Sequence, residues 1–219
     1  MRHPAIPYVV PFLALLVTVA AGRSLPMGVA GQAVRFGAVA IVLWIVSRHV
    51  IPLRPSRWLA SSLVGAGVFL VWIGPDLLAP GWRQHWVLQN PIFGYTQPLI
   101  PEGLRDNLAA LALRTARSAL LVPLAEELFW RGWLMRWLIS HNFTAVPLGA
   151  YAARAFWITA VLFASEHGPY WEVGLAAGIA YNWWMMRTRN LADCILAHGV
   201  TNAILSAYVI GSGKWEYWP

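Results

Sequence analysis

The chain has 219 residues, of which 58% are hydrophobic and only 11% charged, and its mean hydropathy is +0.55. That composition excludes an ordinary water-soluble domain and points to an integral membrane protein. A net charge of +7 could suggest a nucleic-acid partner. The arginines, however, are scattered at the ends of apolar runs rather than clustered with aromatics, so they read as topology signals and phospholipid contacts, and no nucleic-acid partner is expected.

In chain order, Arg2 precedes an apolar run over 6–21. Its outline resembles a signal peptide, but the prolines at 4, 7 and 11 and the further apolar runs favour an uncleaved first helix. Second and third spans follow at 34–50 and 58–78, each near the roughly 20 residues that a crossing needs. Between them Arg48, Arg54 and Arg57 form the densest positive loop of the front half, which assigns that loop to the cytoplasm. Residues 80–103 carry Trp82, Trp86 and several prolines, including Pro91, Pro98 and Pro101, and read as interfacial or re-entrant.

Residues 104–121 are ambiguous, because Arg105, Asp106, Arg114 and Arg117 interrupt an alanine and leucine helix. The segment either spans or lies along the interface with its arginines reaching to water. Placing it at the interface puts Arg136, His141, Arg154, Arg187 and Arg189 in the cytoplasm and yields seven spans with a cytoplasmic N-terminus; the full expectation is seven to eight. Arg23 and Arg35 fall outside either way and run against the rule. The fold expected is an all-α, polytopic transmembrane bundle, a single membrane-embedded domain over 1–219 with three leading spans in 1–80 and the functional core in 104–210.

The apolar run at 120–139 contains Glu126, Glu127 and Arg131. A charge at the bilayer centre costs about 2.5 to 3.5 kcal/mol, so these groups need an interior or wet cavity. Glu127 and Arg131 are four residues apart and can pair on one helix. Glu126 sits about 100° further round and lacks that partner. In 156–167, Phe163 and His167 share a face, and in 191–210 so do His198 and Asn202. Each set has a bland reading as a salt bridge, an interfacial histidine or interhelical glue. Three sets that could converge on one cavity look like a site. Gly174 and Gly178 read as close helix packing, and the only cysteine, Cys194, as a small core residue.

E-E-x-x-x-R at 126–131, F-x-x-x-H at 163–167 and H-x-x-x-N at 198–202 stand in the order and approximate spacing of the CPBP (Abi) family, the type II CAAX prenyl endopeptidases and their bacterial relatives. The second half of the chain resembles that family, and the compact size and Trp-rich tail are similar to its exosortase-associated bacterial branch. The resemblance implies a glutamate-dependent intramembrane endopeptidase acting on a lipidated or membrane-anchored peptide in a bacterial inner membrane. It implies that Glu126 and His167 activate water, that His198 and Asn202 serve the oxyanion, and that Glu127 and Arg131 support them, beside Phe163.

Amide hydrolysis needs a base for water, an acid for the departing amine and donors for the oxyanion, and these residue types supply each. No H-E-x-x-H or G-x-S-x-G is present. No cofactor is expected. Glu126, His167 and His198 could nevertheless bind a divalent metal, which keeps a metalloprotease as an alternative. A catalytically silent scaffold or immunity-like protein is the non-enzymatic alternative.

Overall fold

The computed structural model describes residues 3–21, 28–52, 54–96 and 100–218. Arg2, Arg23 and Pro98 lie outside the described residues. Among those described the protein is all-helical, with a single bridge between Asn90 and Gly94 in place of any strand. Seven helical segments stand where seven spans were expected: α1 (Ile6–Ala20), α2 (Gly28–Ser47), α3 (Trp58–Leu78), α4 (Leu108–Trp137), α5 (Ala153–Ser165), α6 (Trp171–Thr188) and α7 (Leu191–Ser212).

The count of seven to eight spans is not confirmed. Only α2, α3, α4 and α7 are long and apolar enough to cross a membrane. Helices α1 and α5 are too short, and α6 carries Glu172, Asn182 and Arg187. The break expected between 104–121 and the next span is absent among the described residues. From Leu108 onward that segment is the first part of α4, a helical run of 30 residues, and at 1.5 Å per residue this rod is about 45 Å long. The arginines therefore sit near its beginning rather than on a separate surface helix.

Helix α4 is unevenly wound, with π turns at Arg117–Leu121 and Leu128–Leu134 on either side of the α-helical Val122–Glu127. Pro123 supplies a local cause, since it has no N–H to donate back along the helix. In the first π turn Val122 N donates to the Arg117 carbonyl; in that register the Ser118 carbonyl would accept from residue 123, which cannot donate. Asn202 Nδ2 on α7 donates to Ser118 O instead, at 2.9 Å.

Close backbone contact joins α3 to α7. A Cβ on Gly65 would lie 2.3 Å from the Ala197 carbonyl oxygen, and Thr201 Oγ1 donates to Gly65 O at 2.8 Å. Successive helices run back and forth between two ends of the bundle, each end tied by hydrogen bonds. At the first, Ser47 Oγ donates to Pro7 O, a carbonyl deprived of its helical donor by Pro11. There too the buried Asp193 accepts from Arg57 N and Ser61 Oγ, and Asn190 Nδ2 donates to Arg54 O. At the second, Arg83 pairs with Asp76 and donates to Pro169 O, Trp171 Nε1 donates to Val87 O, and Tyr170 and Tyr217 donate to Glu216 O and Asp76.

Candidate active site

Arg131 lies on the inner face of α4 with no solvent exposure, and it needs every donor satisfied. Its Nη1 donates to Glu127 Oε1 at 3.0 Å, its Nε to Asn182 Oδ1 at 2.9 Å and its Nη2 to Gly178 O at 3.2 Å. The guanidinium also stacks over Phe163, 4.7 Å from the ring centre. Glu127 is equally buried, and its Oε1 accepts a second bond, from His198 Nδ1 at 2.9 Å. Arg131, Glu127 and His198 are thus one chain of contacts across α4 and α7. Tyr181 stacks on the His198 ring at 5.0 Å and donates to Thr201 Oγ1.

His167 lies just past the end of α5. Its Nδ1 donates to Phe163 O at 2.7 Å, which leaves Nε2 as the free ring nitrogen. Trp72 of α3 meets the ring edge-on at 5.3 Å. Burial pushes the His167 imidazole down to about 4; the bond to Phe163 opposes this, and His198 and Arg131 add to it. The ring is neutral at physiological pH.

Glu126 projects away from the Glu127–Arg131 pair and is half-buried. Its Oε2 is buried and makes no hydrogen bond among the described residues. Glu126, His167, His198 and Asn202 line one cavity of about 280 Å³, and Phe163 forms part of its wall. Glu127 and Arg131 stand behind the wall. Phe12, Leu15, Leu16 and Val19 of α1 supply an apolar side, while Arg114 and Arg117 add positive charge at the beginning of α4.

Several contributors escaped the sequence reading. Asn182 completes the Arg131 shell, and a polar residue in an otherwise apolar helix was the available signal. Tyr181 and Trp72 were hidden among many aromatics. The packing reading of Gly178 holds, since a Cβ there would press on Ala160 and Phe163 at 3.2 Å, yet its carbonyl also serves Arg131. Gly174 has a second purpose, for a Cβ there would lie 2.9 Å from His167 Cγ. Glu166, one residue before His167, also lines the cavity. Cys194 is buried in the core, as expected. No group of three or more His, Cys, Asp or Glu side chains that could hold a metal ion is found among the described residues.

Ionisable groups gathered in one cavity among apolar helices define an integral membrane protein with a polar interior site. The family model described as Rce1-like, "Type II CAAX prenyl endopeptidase Rce1-like", matches residues 108–204, so the second half of the chain is similar to the type II CAAX prenyl endopeptidases. The match runs from the start of α4 into α7 and contains all three motifs; α1 to α3 lie outside it. This similarity supports a membrane-embedded protease acting on a membrane-anchored substrate. No curated protein and no solved structure gave a match to the chain.

Proposed function

We propose that the protein is a metal-independent intramembrane endopeptidase that hydrolyses a peptide bond in a lipidated or membrane-anchored substrate, with Glu126 as the base. The observation carrying this reading is the Glu126 carboxylate, which, unlike that of Glu127, makes no hydrogen bond or ion pair among the described residues and lies in a cavity shared with two imidazoles and an amide. Burying a carboxylate oxygen without a partner is costly, and a structural role is already filled by Glu127.

In this reading Glu126 takes a proton from water held between it and His167 Nε2, and the hydroxide attacks the scissile carbonyl. The proton then passes from Glu126 to the departing amine. His198 is oriented by its Nδ1–H bond to Glu127, so its Nε2 can donate to the oxyanion only when the ring carries a second proton. Asn202 gives one amide proton to Ser118 and keeps the other for the oxyanion.

Metal independence follows from the supply of ligands. Recruiting Glu126 together with both histidines would consume the base, because Glu127 is already engaged by Arg131 and His198. The test is hydrolysis of lipidated and transmembrane peptides by purified protein, with and without a strong chelator, beside Glu126→Gln. Activity insensitive to chelation and lost in Glu126→Gln is expected. Activity removed by the chelator and restored by zinc would establish a metalloprotease, and activity surviving Glu126→Gln would remove Glu126 from the chemistry.

A further inference from the structure

The cavity belongs to one end of the bundle. Its walls include Val19 from the last turn of α1, Trp72 from the last third of α3, Arg117 from the first third of α4 and His167 from just beyond α5. Leu205 and Trp218 come from the later part of α7 and the tail after it. All lie toward the second end, the one tied together by Arg83, Asp76, Tyr170 and Tyr217. None of the lining residues belongs to the connections at 48–57, 138–152 or 189–190, which make up the first end.

Charge separates these ends. Arg48, Arg54, Arg57, Arg154, Arg187 and Arg189 fall at the first end, in or beside its connections, where the only acid is the buried, hydrogen-bonded Asp193. Among the described residues, the connections and tail at the second end hold Arg83, Arg105 and Lys214. Arg35, Arg114 and Arg117 are within helices rather than loops. Short loops rich in Lys and Arg stay in the cytoplasm, which assigns the first end to that side.

We infer that the cavity opens on the non-cytoplasmic face of the membrane, so the bond it cleaves must be presented from that side. The statement about cleavage rests on the endopeptidase reading above; the orientation does not. A non-cytoplasmic site places the protein after a translocation or insertion step, since the class of reaction that supplies its substrate must first carry the cleavage segment across the membrane.

The test uses the full-length protein in a bacterial expression host. A single cysteine is placed at the exposed Gln84 (second end) or the exposed Ser140 (first end), with wild type, whose Cys194 is buried, as the blank. Spheroplasts are treated with a membrane-impermeant maleimide before and after lysis. Gln84→Cys should react before lysis and Ser140→Cys only after it. The reverse pattern, or equal labelling of both positions before lysis, overturns the orientation. Should either variant fail to accumulate, alkaline phosphatase fused after Pro219 gives the same decision: an active reporter supports the proposal and an inactive one overturns it. Neither readout needs a substrate, so a failed peptidase assay leaves the orientation result standing.

Discussion

Gly174 and His167 are in direct contact across α6 and the end of α5, and the absence of a side chain at position 174 makes room for the imidazole. A Cβ added there would lie 2.9 Å from Cγ and 3.0 Å from Nδ1, closer than carbon contacts allow. The ring would have to shift, taking Nδ1 from its place beside Phe163 O.

Gly174→Ala should therefore fold and yet lose activity. Alanine is the better helix former by about 1 kcal/mol, so expression should hold, while a displacement of about 1 Å in a catalytic group can cost about 100-fold. The check is kcat on a cleaved peptide beside a melting curve in detergent. Unchanged kcat would show that the position of the His167 ring is not limiting.

Arg131→Ala and Glu126→Gln should separate. Losing Arg131 strips its partners from Glu127, Asn182 and the Gly178 carbonyl together, and breaking a buried ion pair typically costs about 3 to 5 kcal/mol. Yield of folded protein should fall sharply. Glu126→Gln removes no hydrogen bond made among the described residues and is isosteric, so its yield should match wild type while hydrolysis stops. Equal loss of yield in both would undo this division of labour.

Asn202→Ala should cost both stability and rate. The Ser118 carbonyl left bare beside Pro123 carries a penalty of about 1 to 3 kcal/mol, read as a drop in melting temperature. Loss of an oxyanion donor lowers kcat by about 100-fold or more. A stability loss with kcat intact would make Asn202 a purely structural partner of α4.

The three polar motifs were legible because ionisable groups in apolar runs are conspicuous, and four-residue spacing tells which of them share a helix face. Their convergence was only arguable, since helix packing is set by residues that carry no such signal. Gly65 against Ala197 and Gly199 against the Ala119 carbonyl bring α7 onto α3 and α4, and nothing about a glycine in sequence names its neighbour. The single course of α4 was missed because arginines were weighed as charges at a fixed bilayer depth. The helix instead begins well before its apolar centre, leaving Arg114 and Arg117 in its first third. The bond from His198 to Glu127 was also invisible, because spacing along one helix says nothing of a partner on another.

Acid should expose the His167 environment. Its imidazole, held down at about 4 in the fold, is near 6.5 when exposed, so the unfolded chain binds more protons between those values. Stability from this group is fully present above about pH 6.5 and declines as pH falls toward 4. Melting temperature followed across that window should fall more steeply for wild type than for His167→Asn. Parallel curves would mean that His167 does not remain neutral.

The length of α4 has a consequence for the surrounding lipid. The rod is about 45 Å long, but Arg114 and Arg117 keep its first turns out of the hydrocarbon, so the apolar remainder fits a slab of about 30 Å, and a thinner or thicker bilayer is met by tilting or kinking that remainder. Winding defects at Arg117–Leu121 and Leu128–Leu134 are the softest places to bend, and the two glutamates lie between them. Acyl-chain length thus becomes a control on the angle at which Glu126 meets the groups of the neighbouring helices, and the same polypeptide reconstituted in thin and thick membranes should work at different rates.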